Sequence, residues 1–271
     1  ASTGFICEWD KDEETAEKEI KAAPNSSLFE EWQNDPSAWQ NDSDTPTGAR
    51  PSPEDTSHLA DNPPEVDIEK LPVSFDARTA LPPIRDQGKY NTCWSFAALG
   101  AMEADYMAQK MSSLGDIPDL SELYLAWFVY KDASFDYPVN TSVNNILDQA
   151  GTSSMAVGLL SKTPPVNESA MPYTTAGDDK TQTDSKIEAF LKNKNFTPSG
   201  IMLRETNDFA SEYLSDENIN VIKKMIMQHG AVDFTFMNVS GGYNSGKTNF
   251  YSDTHSSSAF HAALLVGWDD N

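Results

Sequence analysis

The sequence is poor in cysteine, in basic residues and in long apolar runs. Its 271 residues include only two cysteines, Cys7 and Cys93, which excludes a disulfide scaffold. The sequence is compatible both with one disulfide bond between them and with two free thiols. There are 19 basic residues against 42 acidic ones, a formal net charge of −23 that argues against nucleic acid or anionic lipid as a partner. No apolar run approaches the roughly 18 residues of a membrane span, so we expect none.

The first 70 residues differ in composition from the rest. They hold seven prolines, 18 of the acidic residues and five of the basic ones. Their apolar residues are isolated, so the segment cannot bury much surface alone. It is either a solubilising tail or a pro-segment that lies across the rest of the chain and inhibits it. The expected anchors of such a pro-segment are Leu28, Phe29, Trp32 and Leu59.

The N-terminus carries no charged segment followed by an apolar one. Because the sequence starts at Ala1 and not at Met, a secretory leader is expected to have been removed already.

The stretch Ile84–Lys110 begins as a polar, turn-rich loop and continues as a predicted helix that starts at or near Cys93. The positive end of a helix dipole favours thiolate over thiol. Thiolate is the nucleophilic form, so a reactive cysteine belongs at this position. The amide of Gln87, six residues earlier, is expected to turn back toward the same point.

Hydrophobic periodicity predicts helices first and strands later along the chain, which is typical of an α+β protein with two lobes. Helices are predicted over 27–32, 120–130, 155–160, 184–194 and 215–229, and strands over 231–237 and 260–268. Asp119 or Ser121 is expected to cap the second of these helices, and Gly230 to follow the last one.

Thiol catalysis also needs a histidine, and the sequence has four. His58 lies among prolines, His229 at a helix end and His255 in a polar loop. His261 opens an apolar strand directly after a flexible loop, which makes it the best candidate. The alternative is an ordinary half-buried histidine. No metal or other cofactor is expected.

Several motifs in order resemble a papain-like cysteine peptidase domain. The first are L-P-V-S-F-D-A-R, I-R-D-Q-G and T-C-W-S-F-A-A-L-G-A-M-E-A. Later matches are L-S-E-L-Y-L-A-W, A-G-T-S-S-M-A, M-P-Y, I-K-K-M-I-M-Q-H-G-A-V and F-H-A-A-L-L-V-G-W-D-D-N. The resemblance covers residues 71–271 and implies a papain-like fold with a helical left lobe and a β-rich right lobe. Residues 1–70 would then be the leader or pro-segment.

The segment P-S-P-E-D-T-S-H-L resembles the leader of bacterial secreted members of this family, some of which carry a lectin-like insertion. The resemblance implies a secreted or cell-surface bacterial protein.

The resemblance also implies roles for individual residues. Cys93 would be the nucleophile, His261 its proton partner, and Gln87 a donor to the oxyanion. The reaction would be hydrolysis of peptide or protein substrates by an endopeptidase or exopeptidase, through an acyl-enzyme. The residues implied for substrate binding are Trp94, Ala150, Gly151, Thr152, Ser153, Ala259 and Phe260. Ser153 and Phe260 suggest a neutral specificity pocket.

Three departures from the family pattern matter. Tyr90-Asn91 stands where the family usually has Cys-Gly, and His261 lies 168 residues after Cys93, against an expected ~130–150. The family's third residue, an Asn in a W-x-x-K-N-S-W-G motif, does not follow His261. We therefore expect that the C-terminal part of the right lobe is missing and that a separate C-terminal chain or fragment completes the fold. Asn271 is expected to belong to a turn.

Two other functions stay open. One is a non-catalytic papain-fold surface protein that binds peptides or glycans, and the other is a transferase or ligase with thioester chemistry. If residues 1–70 cover the cleft, acidification or proteolysis within Asp42–Asp67 should raise activity.

Overall fold

Six helices and six strands are defined in the computed structural model. It describes residues 5–6, 21–22, 27–35, 48–51, 67–110, 118–131, 137, 139, 143, 145–201, 203, 215–238, 242–246, 249–251 and 260–271. The helices are α1 (Ser27–Asn34), α2 (Cys93–Lys110), α3 (Glu122–Lys131), α4 (Ser153–Leu160), α5 (Thr183–Leu191) and α6 (Asp216–His229). The strands are β1 (Phe5–Ile6), β2 (Lys21–Ala22), β3 (Ser74–Asp76), β4 (Val232–Met237), β5 (Phe260–Leu265) and β6 (Gly267–Asp269). Within these residues, no helix is both long and apolar enough to cross a bilayer.

Helix α2 is central and buried on several sides, as its small residues predict. Trp94, Ala97 and Leu99 are all buried in the main core. A methyl group on Gly100 would lie 2.7 Å from Leu264 Cδ1, so β5 packs directly on the helix at this point. The middle of α2 therefore packs against β5.

Side chains define the ends of the other predicted helices. Ser121 Oγ accepts a hydrogen bond from the Tyr124 amide at 3.0 Å, so Ser121 caps α3. Thr152 caps α4 through the Met155 amide, and Ser215 caps α6. Gly230 ends α6 with a φ of 82°, as expected for the residue after a helix.

The predicted strand over 260–268 is in fact two strands. β5 pairs antiparallel with β4, with Phe236 opposite His261. β5 ends before Val266, whose carbonyl accepts a hydrogen bond from the Ala77 amide. β6 then pairs with β3 and not with β4. A methyl group on Gly267 would lie 2.2 Å from the Phe75 carbonyl oxygen, so this crossing needs glycine. The apolar pattern is continuous across the break, which is why it predicted one strand.

Arg85 ties the loop before Cys93 to α2 and α3. Its guanidinium pairs with Glu103, with Asp119 at 2.7 Å and with Glu122 at 3.0 Å. Glu103 also accepts the Leu120 amide at 2.7 Å. This cluster, called the Arg85 cluster below, fixes where the polar loop enters α2.

Two described parts of the first 70 residues bear on the pro-segment interpretation. Phe29 of α1 is buried, as expected for an anchor. The side chains of Leu28 and Trp32, and all of Leu59, lie outside the described residues. Residues 48–51 lie in the cleft described next.

Candidate active site

Cys93 lies where α2 meets β5. It is the first residue of α2, and its Sγ accepts a hydrogen bond from the Ala262 amide at 3.3 Å. The structure therefore brings the predicted nucleophile against the strand that carries His261. Cys93 is a free thiol, so it is not bridged to Cys7, which lies outside the described residues.

Residues 48–51, called the leader segment below, lie over Cys93 and form isolated β-bridges to Gly151 and Phe260. The Gly151 amide donates to the Gly48 carbonyl at 2.8 Å, and the Arg50 amide donates to the Gly151 carbonyl at 3.0 Å. On the other side, the Ala49 amide donates to the Phe260 carbonyl at 3.3 Å. Cys93 is only 1% exposed beneath it. The segment thus pairs with both walls of the cleft at once.

Two local features, at Gly48 and at Arg50, hold the leader segment in place. A methyl group on Gly48 would lie 2.2 Å from the backbone carbon of Asn91, so only glycine fits there. Arg50 is buried, with Nη2 3.0 Å from Met155 Sδ and its guanidinium 5.9 Å from the centre of the Tyr130 ring. The sequence predicted apolar anchors, whereas this contact rests on backbone pairing and one arginine.

Burial favours the neutral form of both Cys93 and His261. It raises the pKa of the Cys93 thiol to about 12, and the charge of Asp233 acts in the same direction. Burial also lowers the pKa of His261. The loss of solvation thus opposes the helix dipole, which favours the thiolate at this position.

His261 stacks edge-on against Phe236, its cross-strand partner, with ring centroids 5.6 Å apart. Its Nδ1 atom is buried and has no hydrogen-bond partner among the residues the structure describes. Asn271 does not orient it, because the Asn271 amide groups bind Asp269 in a terminal turn, as predicted.

Gln87 lies in the loop before Cys93, three residues ahead of Tyr90. Its side-chain amide donates to the Tyr90 carbonyl at 2.8 Å. The Tyr173 hydroxyl donates to the Gln87 carbonyl at 2.9 Å and also contacts Thr92 Oγ1 at 2.5 Å. These bonds tie the loop to the residue that immediately precedes Cys93.

The turn at Ala150-Gly151 forms one wall of the cleft. Ala150 has a φ of 60°, and its carbonyl accepts from the Tyr130 hydroxyl at 2.7 Å. A methyl group on Gly151 would lie 2.3 Å from the Trp94 indole, so the turn lies flat on that ring. Trp94 is itself a buried core residue. Thr152 is buried and caps α4, and Ala259 lies outside the described residues.

An acidic side chain, Asp233, lies beside Ser153, one of the two residues that suggested a neutral pocket. Ser153 Oγ donates to Asp233 Oδ2 at 2.5 Å. The sequence shows Asp233 as the single charged residue of the strand A-V-D-F-T-F-M, but the sequence-based prediction of the pocket did not use it. No cluster of three or more metal-binding side chains occurs within the described parts of the chain.

Comparison with known proteins identifies relatives of this chain. Residues 71–126 match the family model described as papain family cysteine protease. In structure, the chain resembles the cysteine protease and lectin-like domains of Cwp84, a surface layer associated protein of Clostridium difficile. The TM-score is 0.58 at 21% identity, over 92% of this chain and 48% of that one. The fold is papain-like.

A second papain-like structure, the cysteine protease xylellain of Xylella fastidiosa, aligns with a TM-score of 0.56 at 18% identity, over 85% of this chain and 82% of that one. In sequence, the chain is 30% identical to a cysteine protease of Blomia tropicalis over 202 residues, 73% of this chain and 53% of that protein. It is 32% identical over 136 residues to a senescence-specific cysteine protease of Oryza sativa subsp. indica, over 49% and 36%. The chain thus spans about half the length, or less, of the curated relatives it matches.

Proposed function

We propose that this papain-like chain is a cysteine peptidase held latent by its own leader. The observation that carries the proposal is the 3.3 Å contact between Cys93 Sγ and the Ala262 amide. It brings a cysteine at a helix N-terminus to the strand residue next to His261, and nucleophilic thiol catalysis requires a histidine beside the thiol.

In the proposed reaction the thiol proton first moves to His261. The Cys93 thiolate then attacks the peptide carbonyl carbon, and the oxygen takes up the negative charge. Amide groups of Gln87 and of the Cys93 backbone would donate to that oxyanion. His261 gives its proton to the leaving amine, which leaves a thioester, and then takes a proton from the water that hydrolyses it.

Latency is the second part of the proposal. The leader segment uses backbone groups of Gly151 and Phe260 that an extended substrate would need. It also keeps Cys93 out of solvent and in the thiol form. Residues 1–70 would be the pro-segment and residues 71–271 the peptidase domain. A secreted or cell-surface location fits the likeness to a surface layer associated protein.

The test is thiol labelling and peptide hydrolysis before and after cleavage by a glutamate-specific protease, for which Glu54 and Glu65 are candidate sites. After cleavage, iodoacetamide should label Cys93 much faster than Cys7, and peptide hydrolysis should appear. Cys93→Ala and His261→Ala should abolish hydrolysis, whereas Cys7→Ser should not. Gln87→Ala should lower kcat by about 10- to 1,000-fold.

Other outcomes would separate the alternatives. Equal slow labelling of both cysteines would contradict the proposal. Fast labelling of Cys93 without hydrolysis would favour a binding protein. Amide products in the presence of added amines would favour a transferase.

A further inference from the structure

Two tyrosine hydroxyls join the loop before Cys93 to residues 173–183. Tyr90 lies in the loop, and its hydroxyl donates to the Gly177 carbonyl at 2.7 Å and shares a second hydrogen bond of 2.7 Å with Thr183 Oγ1. Tyr90 and Thr183 are only 3% and 0% exposed, so water cannot easily replace these partners. The loop is therefore anchored at Tyr90 to a part of the chain that is distant in sequence.

Tyr173 makes the reciprocal contact, from that distant part back to the loop. Its hydroxyl donates to the Gln87 carbonyl at 2.9 Å and lies 2.5 Å from Thr92 Oγ1. Its ring packs edge-on against Phe96, in the first turn of α2, with ring centroids 4.9 Å apart. The rings of Tyr173 and Tyr90 are nearly perpendicular, with centroids 6.5 Å apart. Together the two tyrosines hold the loop from Gln87 to the residue that precedes Cys93.

The position of Tyr90 determines the direction of the Gln87 side chain. The Gln87 amide donates to the Tyr90 carbonyl at 2.8 Å, which fixes the plane of the amide. A shift of the Tyr90 main chain would therefore turn this amide as well. The loop, residues 84–92, contains no cysteine, and Cys93 itself is a free thiol. Hydrogen bonds and ring packing, and not a disulfide, thus hold the loop in place.

We propose that Tyr90 and Tyr173 are positioning residues for the oxyanion site. Tyr90 acts through the Gln87 amide, and Tyr173 acts through Gln87 and through the residue before the Cys93 backbone amide. The inference rests on the peptidase function proposed above and adds two residues that do not touch the substrate. The oxyanion develops only as the carbonyl is attacked, so misplaced donors lower kcat and not substrate binding. A misplacement of about 1 Å can lower the rate about a hundredfold.

The experiment compares Tyr90→Phe and Tyr173→Phe in the full chain, activated by cleavage as above, with a fluorogenic peptide amide that the unchanged enzyme hydrolyses. Each change should lower kcat by about 5- to 50-fold and alter KM by less than about twofold. The reaction of Cys93 with iodoacetamide should keep its rate, because alkylation develops no charge on a carbonyl oxygen. A purely structural role would lower stability and leave the kcat of the folded enzyme unchanged.

A double-mutant cycle shows that Tyr90 acts through Gln87. In the Gln87→Ala background, Tyr90→Phe should lower kcat further by less than about twofold, since the amide that it orients is already absent. Thr183→Val removes the hydroxyl that binds Tyr90 and leaves the loop sequence intact. It should lower kcat by about 3- to 10-fold, whereas Thr183→Ser, which keeps a hydroxyl, should retain most of the activity.

Controls separate positioning from a general defect. Tyr124→Phe removes a tyrosine hydroxyl from α3, where the ring packs on Phe128 and Phe196, and it should leave kcat unchanged. Slow alkylation of Cys93 in an uncut variant shows that the closed fold is intact. Where a tyrosine variant is labelled fast before cleavage, the comparison of Thr183→Val with Thr183→Ser decides in its place.

Two results would overturn the inference and leave the peptidase function intact. One is a kcat that stays within about twofold of the original in Tyr90→Phe and Thr183→Val, and the other is an equal loss with and without Gln87. If the unchanged, activated chain hydrolyses no substrate in a Cys93-dependent manner, both proposals fail.

Discussion

Single residues control access to Cys93. The leader segment is held by backbone hydrogen bonds to Gly151 and Phe260, and these need a close approach at Gly48. Because a Cβ there would overlap the Asn91 backbone, the identity of this one residue determines whether the segment can lie in the cleft.

Gly48→Val should therefore release the leader without cleavage. The added side chain cannot be accommodated by a rotamer change, because the atoms it meets belong to the main chain. We expect at least about a tenfold faster alkylation of Cys93 in the uncut chain, measured by intact mass over time. Glu31→Ala, an exposed change in α1, is the matched control and should label at the original rate. Equal rates in both variants would show that the segment does not shield the thiol.

The residue scale also shows what the sequence could reveal. Cys93 and His261 were singled out because a helix start and a strand start are visible in the hydrophobic pattern, and their catalytic roles stay predictions. Asp233 and Arg50 were not assigned, since a pattern shows that a charge interrupts a strand or a proline-rich segment but not what that charge faces. The part of Gln87, like the third residue that would orient His261, stays a prediction.

At the scale of elements, the Arg85 cluster joins the loop before Cys93 to α2 and α3. Burial raises the pKa of Glu122 to about 8, in spite of the nearby Arg85 guanidinium, and also raises the pKa of Glu103. A carboxyl whose pKa is higher in the folded state stabilises the fold below its unfolded value, near 4.5. That contribution is lost as the pH rises through the folded value.

The free energy of unfolding should consequently fall between about pH 5 and pH 8. Glu122→Gln should make this fall smaller by about 1–2 kcal/mol, because glutamine does not ionise. Glu103 and Glu168, whose pKa values are also raised, should preserve part of it. Urea unfolding at several pH values measures the effect. Glu188→Gln, a change on the exposed face of α5, should keep the original slope, and the same slope in Glu122→Gln would exclude burial as the cause.

Element boundaries show a limit of sequence reasoning as well. The helices after Cys93 were predicted to within a few residues, because caps and periodicity are local. The division of 260–268 into β5 and β6 was not predicted, because it depends on pairing with β3, almost 200 residues earlier.

At the scale of the whole molecule, leader and body carry charges of the same sign. Residues 1–70 have 18 acidic and five basic residues, and the remaining chain has 24 and 14, so the net charges are −13 and −10. Like charges oppose docking of the leader, and acidification weakens that repulsion.

Because of this charge balance, we expect cleavage of the leader to raise activity more than acidification does. Cleavage between residues 52 and 66 should raise Cys93-dependent hydrolysis by more than about tenfold. Acidification to about pH 5 without cleavage should change it by less than about threefold, since protonation reduces the repulsion that would help the leader to leave. Hydrolysis measured at one common pH after each treatment makes the comparison, with Cys93→Ala as the blank. A larger effect of acid than of cleavage would overturn this ranking.

In the proposed latent form, residues 48–51 are a competitor that is tethered to its own binding site. A connection of about 20 residues, 52–70, holds such a ligand at an effective concentration of about a millimolar. A free peptide must exceed that concentration, or bind correspondingly tighter, to displace it from the intact chain. Once the connection is cut, the same segment at a micromolar total concentration is diluted about a thousandfold. One hydrolysed bond thereby turns a permanent occupant into a weak, reversible inhibitor, with no change in any contact it makes.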